Sequence, residues 1–333
     1  MKKFSFFTFH LSPLTFHLSL VILVILGLLG ILLLVTAKTT NSEPCRIYLP
    51  EGTTQEDLLD TLHARGILEE GLNTKIFIFH FSFFNSKIRP GSYIIEPHMS
   101  ELTLVRRLRN GQQSPIRLTI GKFRTPEQLN HYLNSKLMHN DFDIPLDSFY
   151  LVRPNTYEFY WTVSPEQFMT RMKREYDNNV SPLTSHLSPL TSHLSPHDII
   201  VLASIVEEES NYNPEKPLIA SVYLNRLKKG IPLQADPTVK YAVGDFTLQR
   251  ILNKHLAVES PFNTYLHTGL PPAPICLPSN ASVDAVIHAE ETNYLYFCAS
   301  DRMDGTHRFA ATLAEHNRNA AAFHRALNTR GIK

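Results

Sequence analysis

The sequence predicts an α+β protein with one apolar helix near its amino terminus. Three observations support this. An uncharged apolar run occupies residues 18–37. Short β-branched runs, turn residues and capped helices alternate over 45–120, and longer helices that open with a cap residue followed by proline recur in 121–333. This order predicts a membrane-type helix, a small α/β module and a larger mixed α+β domain.

Composition excludes several classes of protein. Lys+Arg is 32 and Asp+Glu is 31, a formal net charge of +1, whereas nucleic-acid binders usually carry a basic excess. We therefore expect no nucleic-acid partner. With 13 Gly and 3 Cys, the chain is neither collagen-like nor a disulfide scaffold, and 20 Phe and 13 Tyr supply a core. The odd set of cysteines allows at most one bridge, and the sequence leaves open whether Cys276 and Cys298 form it.

The apolar run 18–37 is long enough to cross a bilayer, which takes about 20 residues as a helix. The alternative is a cleaved signal peptide, whose apolar region is usually about 7–15 residues long. We interpret 18–37 as an uncleaved single-pass transmembrane helix and 1–17 as a low-complexity cytoplasmic leader. Basic residues flank both ends of the run, so charge alone does not orient it.

A seven-residue unit, SPLTSHL, occurs at 181–187 and again at 188–194. Each copy contains a proline, which excludes a continuous helix or coiled coil. Histidines in the copies admit a metal-binding tract, but a repeat-derived insertion is the simpler interpretation. We expect 181–195 to be an exposed loop.

The module at 45–120 alternates strands and helices. RIYLPEG predicts a strand and turn, and the next helix begins at Thr53 or Thr54 and stops at Gly66. A second strand and helix end at Gly111, and IRLTI predicts a further strand. Because this module contains no nucleophile, carboxylate pair or metal cluster, a binding or spacer role is expected.

Four helices are predicted in 121–333. Two begin at Thr125-Pro126 and Ser164-Pro165, and a carboxy-terminal one spans 312–327. The most informative is SPHDIIVLASIVEEESNYNP, which Ser195 caps. Its middle, 199–206, is apolar on nearly every face and is therefore predicted to be buried.

This buried helix runs into three consecutive acids, Glu207, Glu208 and Glu209. The negative end of the helix dipole disfavours carboxylates, and each acid is expected to raise the pKa of the others. A carboxyl group protonated near neutral pH suits a general acid. The alternative is a solvated helix end, and periodicity alone does not choose among the three glutamates.

Longer motifs add a family resemblance. Glu209-Ser210-x-Tyr212-x-Pro214 resembles the Glu-Ser-x-aromatic-x-Pro signature of lysozyme-like lytic transglycosylases. LASIVEEES, IASVYLNRLKKGIPLQADPTVKYA, SPFNTYLHTGLPPAPICLPS and YLYFCASDRMDGTHRFAATLAEHN, in that order, resemble the endolytic murein transglycosylase family (MltG, or YceG-like), as does PNTYEFYW earlier. The module at 45–120 resembles that family's LysM-like subdomain, and 121–333 its catalytic domain.

The resemblance implies a single-pass inner-membrane protein with a periplasmic catalytic domain. It implies cleavage of the MurNAc–GlcNAc β-1,4 bond in nascent peptidoglycan strands, leaving 1,6-anhydro-MurNAc ends and terminating elongation. Glu209 would be the general acid and base, and Glu207 a supporting residue. Peptidoglycan is the implied partner, peptidoglycan synthases are candidate partners, and no metal or cofactor is expected.

This chain departs from the family pattern in its leader, in the SPLTSHL insertion and at Lys122-Phe123-Arg124, where an acidic-glycine turn is common. Amide, hydroxyl and aromatic side chains in LQADPTVKYA and PFNTY suit sugar binding. Each also fits a structural role, as a turn, cap or core residue. The candidate substrate-binding residues are Gln234, Asp236, Tyr241, Asn263, Thr264 and Tyr265. Asn225, Arg226 and His307 are secondary candidates.

Two other functions remain open from the sequence. A hydrolytic muramidase would use Asp236 as a second carboxylate. A non-catalytic peptidoglycan-binding scaffold of the elongation or division machinery would act through the LysM-like module, with the glutamates only ending a helix.

Overall fold

The computed structural model describes residues 13–83, 87–180, 191–248 and 250–329. The predicted α+β class is confirmed. Strands in the described ranges form three two-stranded sheets among more numerous helices. The chain divides into two compact units, one of 1–116 with 160–162, the other of 117–159 with 163–333. The assigned domain limits, 45–120 and 121–333, remain predictions.

An apolar helix, α1, runs over Pro13–Thr36. Its portion His17–Thr36 is long and apolar enough to cross a membrane, and the side chains of that portion are exposed. A signal sequence meets the same criteria of length and composition. Of the predicted leader 1–17, residues 1–12 lie outside the described residues.

The first unit is built around an antiparallel strand pair. β1 and β2 pair from Cys45↔Ile95 to Leu49↔Gly91. Thr54 caps α2 through a reciprocal pair of hydrogen bonds with Asp57. The elements after α1 are β1 (Cys45–Leu49), α2 (Gln55–Ala64), α3 (Leu72–Phe83), β2 (Gly91–Ile95) and α4 (Glu101–Asn110).

Gly111 ends α4 with φ of 65°, a left-handed conformation that favours glycine. Side chains from both strands and from α2, α3 and α4 form one buried cluster, which includes Ile47, Leu58, Phe77 and Leu104. The order of strands and helices therefore matches the sequence prediction, except that α3 was not predicted. The likeness of this unit to a LysM domain stays a prediction.

The second unit is mostly helical, with two short two-stranded sheets. Thr125, Ser164 and Ser195 cap helices at the predicted positions, each followed by proline. The elements, starting with a strand that enters from the first unit, are β3 (Ile116–Ile120), α5 (Pro126–Lys136), α6 (Leu146–Phe149), β4 (Asn155–Phe159), α7 (Pro165–Asn179), α8 (Pro196–Glu209), a 3₁₀ turn (Asn213–Glu215), α9 (Lys216–Lys228), α10 (Asp236–Val243), α11 (Asn253–Leu256), α12 (Asn280–Ile287), β5 (Tyr296–Ala299), β6 (His307–Ala310) and α13 (Leu313–Thr329).

The core of this unit is organised around α8. Every residue from Ile199 to Val206 is buried, as the apolar pattern predicted. α8 packs against α9, α10 and α12, so the end of α8 is surrounded by three other helices. Of the predicted insertion loop 181–195, residues 181–190 lie outside the described residues. All three cysteines are free thiols.

Candidate active site

The three glutamates at the end of α8 have different environments. Glu207 Oε2 accepts hydrogen bonds from Ser279 Oγ at 2.6 Å, Ser282 Oγ at 2.5 Å and Lys216 Nζ at 3.1 Å. Burial alone would raise the pKa of Glu207, but these three donors outweigh it and hold the pKa below its ordinary value. Glu207 is therefore an ionised anchor that ties α8 to α9 and α12.

Glu208 is balanced by two cations from another part of the chain. Lys122 Nζ lies 3.1 Å from Oε1, and Arg124 Nη2 lies 3.1 Å from Oε2. Both cations lie in the segment 122–124, where the resemblance led us to expect an acidic-glycine turn. The departure thus has a local physical role, because it supplies countercharge to the middle glutamate.

Glu209 faces a different surrounding. The Tyr223 hydroxyl donates a hydrogen bond to its Oε1. Burial raises the pKa of Glu209 to about 7, and the nearby carboxylate of Asp236 adds to the rise, while the Tyr223 hydrogen bond opposes it. The side chain still keeps part of its surface accessible. It therefore combines access with a carboxyl group whose pKa is raised towards neutral pH.

The expected mutual rise in pKa among the three acids is wrong for Glu207. Its donors are Ser279 and Ser282, which lie 72 and 75 positions away, and Lys216 on the next helix, so none of them belongs to the helix end itself. For Glu209 the direction was right, but burial is the largest cause and Glu208 the smallest of those that contribute.

A cleft of about 350 Å³ opens on one side of Glu209. It brings together three of the predicted substrate-binding residues, Gln234, Asp236 and Tyr265. The Tyr265 hydroxyl donates to Asp236 Oδ1 at 2.7 Å, which fixes both groups at the wall. We call this space the first cleft. Its other walls include Tyr223, Arg226, Tyr296 and His316.

Gln234 has φ of 51°, a left-handed conformation that is unusual for a residue with a side chain. Its backbone N–H donates to Thr264 O at 3.1 Å, and its side-chain oxygen accepts from Arg226 Nη1 at 3.2 Å. Strained backbone that is held from several sides is commonly found at binding sites.

Arg226 and Asn225 support the site without touching a glutamate carboxylate. Arg226 donates to the carbonyl oxygens of Leu295, Pro232 and Leu233, and its guanidinium lies 5.2 Å from the Tyr296 ring centroid. Asn225 bonds the carbonyls of 292 and 294. Both therefore fix the loops that form the first cleft.

The structure places the other three predicted sugar ligands elsewhere. Asn263 is fully buried, donates to the carbonyls of Leu256 and Val258, and accepts from the Tyr265 N–H. Thr264 bonds Thr238 and the Ala235 N–H. Tyr241 packs against Phe262 at 4.5 Å between ring centroids. None of the three lines the first cleft.

A second cleft, of about 620 Å³, opens on another side of Glu209. Its wall includes Tyr212, Ser300, Thr306 and His307. Glu209 is the residue that both clefts share. Glu209 thus lines two open spaces, an arrangement that suits an extended ligand.

Tyr223 and Glu215 were not predicted as site residues. A tyrosine in the buried helix α9 needs a partner for its hydroxyl, which was the available signal, but the sequence does not say which partner. Glu215 lies just after Pro214 of the signature, and its link to His307 spans 92 positions. In the described residues, no group of three or more His, Cys, Asp or Glu side chains could hold a metal ion.

Comparison with known proteins identifies relatives. A model of the YceG-like family matches residues 47–322. The endolytic murein transglycosylase of Bacillus subtilis strain 168 is 46% identical over 122 residues, 37% of this chain and 33% of that protein. The endolytic murein transglycosylase of Streptococcus pneumoniae strain D39 is 27% identical, over 83% of this chain and 57% of that protein. The matched part of this chain therefore spans about a third of the first curated relative and little more than half of the second.

A solved structure is also similar. The crystal structure of a yceG-like protein from Listeria monocytogenes superposes with a TM-score of 0.52 and 29% identity. The match covers 84% of this chain and 99% of that one. The α+β arrangement described above is therefore shared with a chain of known structure.

Proposed function

Because the chain belongs to the YceG-like family, we propose that it is an endolytic lytic transglycosylase of peptidoglycan. The observation that carries the proposal is the position of Glu209. Glu209 lines both clefts, and burial raises the pKa of its carboxyl group to about 7. The names of the relatives from Bacillus subtilis and Streptococcus pneumoniae support the same activity.

In the proposed reaction the substrate is the β-1,4 bond between MurNAc and GlcNAc. Protonated Glu209 gives its proton to the bridging oxygen as the bond from C1 of MurNAc breaks. The C6 hydroxyl oxygen of the same MurNAc then bonds to C1, and its proton passes to the Glu209 carboxylate. The product is a 1,6-anhydro-MurNAc end, no water is consumed, and the acid is regenerated. Attack from within the same sugar benefits from proximity.

The surrounding residues support this chemistry. Tyr223 holds one oxygen of Glu209 and so orients the carboxyl group. Glu207 stays ionised and, through Lys216, Ser279 and Ser282, anchors the end of α8 in a supporting role. Gln234, Asp236 and Tyr265 present amide, carboxylate and hydroxyl groups to a sugar in the first cleft.

The wider setting is part of the proposal. α1 would anchor the chain in the inner membrane, with the catalytic domain in the periplasm, where nascent glycan strands lie. The module at 45–120, proposed to be LysM-like, would bind or space the glycan. A cut inside a nascent strand would end its elongation, which makes peptidoglycan synthases candidate partners.

The mass of the products tests the reaction. Purified peptidoglycan digested with the full-length protein in detergent is expected to yield anhydro-muramoyl ends. Reducing ends, heavier by one water molecule, would select the hydrolytic muramidase, with Asp236 as second carboxylate. Absence of any cleavage by folded protein that binds the glycan would select the scaffold.

A further inference from the structure

The second cleft contains a histidine that the proposed reaction does not use. A strand that is cut internally has sugars on both sides of the broken bond, and the first cleft accounts for one side. The inference below therefore rests on the proposed function and extends it to the second cleft. His307, at the start of β6, lies in that cleft together with Glu209.

Glu215 holds His307 by three contacts. The backbone N–H of His307 lies 3.1 Å from both Oε1 and Oε2 of Glu215, and Nδ1 of the ring lies 2.9 Å from Oε2. Both side chains are largely buried, with 15% and 13% of their surface exposed. The edge of the ring also contacts Phe297, with 5.4 Å between the ring centroids. The imidazole is therefore fixed in position and orientation.

This geometry determines which ring nitrogen is available. A carboxylate only accepts hydrogen bonds, so the proton on Nδ1 points to Glu215 and Nε2 lies on the opposite edge of the ring. Within the described residues, Nε2 has no hydrogen-bond partner, and it is not among the polar atoms that are both buried and unpaired. Nε2 is therefore not enclosed by the described residues, and the histidine to which it belongs lines the second cleft.

Neighbouring polar groups of the cleft are already paired. The Thr306 hydroxyl donates to Asp304 Oδ1, and the Ser300 N–H donates to the Thr306 carbonyl. These bonds close the turn between β5 and β6. By contrast, Nε2 of His307 is free to bond a ligand, and the Tyr212 ring on the same wall is 49% exposed and offers a face for stacking.

We infer that His307 is a glycan-binding residue of the second cleft and that Glu215 is its positioning residue. Nε2 bonds a hydroxyl or acetamido group of the N-acetylated sugar on that side of the cleaved bond. Glu215 sets the tautomer and orientation of the ring, and in the same contacts joins β6 to the segment that follows the catalytic helix.

Binding without turnover provides the test. The full-length protein carrying Glu209→Gln is titrated in detergent with a tetrasaccharide of alternating GlcNAc and MurNAc, by calorimetry. Adding His307→Ala is expected to weaken binding by about tenfold, the loss of one good hydrogen bond. Adding Glu215→Gln, which keeps an oxygen for the His307 N–H, is expected to give a smaller loss. His288→Ala, at the exposed histidine that follows α12, is the matched control and should change nothing.

Turnover by protein that retains Glu209 completes the test. His307→Ala is expected to raise KM for glycan more than it lowers kcat, with an unchanged thermal melt. Equal affinity with and without His307→Ala, or no tetrasaccharide binding by the Glu209→Gln parent, would overturn the inference. If binding depends on His307 but the wild-type protein cuts nothing, the proposed reaction fails while the binding site stands. If cutting is normal and unaffected by His307→Ala, only the binding site fails.

Discussion

The Tyr223 hydroxyl on α9 donates a hydrogen bond to Oε1 of Glu209 at the end of α8. The hydrogen bond lowers the pKa of this carboxyl group, whereas the negative charge of Asp236 raises it. One neighbour therefore favours the ionised form of Glu209 and the other the protonated form. Their balance, added to burial, places the pKa at about 7.

The rate of glycan cleavage is expected to fall as pH rises through about 7, because the reaction starts from protonated Glu209. Tyr223→Phe removes a hydrogen bond that lowers the pKa of Glu209, so the pH range over which the cleavage rate falls should move to higher pH. Asp236→Asn removes a negative charge that raises this pKa, so the fall in cleavage rate should move to lower pH. Initial rates across a pH series check both. If the fall in cleavage rate occurs at the wild-type pH in both variants, or moves in the same direction in both, Glu209 is not the group whose protonation sets the rate.

Glu209→Gln is expected to stabilise the fold at alkaline pH. The pKa of Glu209 is raised from 4.5 to about 7, so the folded state binds more protons than the unfolded state between these values. Stability is therefore lost as pH rises across that window, by at most about 3 kcal/mol. The variant should melt at a higher temperature than wild type at about pH 8, with a smaller difference at about pH 4. Equal melting temperatures at both would count against a buried ionised Glu209.

Glu207→Gln is expected to destabilise the protein by about 3 kcal/mol, because it leaves Lys216, 3% exposed, without its countercharge. Chemical denaturation measures the loss. Adding Lys216→Met should recover part of it, since the unpaired charge is then gone. Asp177→Asn is the matched control. Its partner Lys173 is 62% exposed, and the change should cost under about 1 kcal/mol. A loss at Glu207 no larger than the control would refute the anchoring role.

Substitution of Asn263 is expected to reduce stability, whereas substitution of Gln234 is expected to weaken substrate binding. Asn263→Ala leaves buried carbonyls and an N–H unpaired, which should cost about 2–4 kcal/mol while the folded fraction keeps its KM. Gln234→Gly removes a cleft-lining side chain and relieves a φ of 51°, so KM should rise with little change in stability. Steady-state kinetics measure KM for both variants, and thermal melts measure their stability. The reverse pattern would place Asn263 at the substrate.

Local signals in the sequence predicted much of the fold. Cap residues followed by proline at Thr125, Ser164 and Ser195 start helices at those positions because the side-chain cap and the fixed φ of proline act within one turn. α3 (Leu72–Phe83) was not predicted. Its apolar and aromatic residues do not form a single helical stripe, so packing against α4 rather than local propensity supports it.

The site was predictable only in part, because its electrostatics depend on distant residues. The motif identified the glutamates, but Lys122 contacts Glu208, and Ser279 and Ser282 contact Glu207, each across more than 70 positions of sequence. Residue type was a weaker guide. An amide suits a sugar and a buried loop equally well, and Asn263 serves the loop.

The most direct test of the account is the yield of anhydro-muramoyl ends from purified peptidoglycan with the full-length protein, the Glu209→Gln variant and the Glu208→Gln variant as matched control. Wild type and Glu208→Gln are expected to produce these ends, and Glu209→Gln is expected to produce none while remaining folded. Anhydro ends from Glu209→Gln at the wild-type rate would contradict the assignment of Glu209 as the catalytic acid.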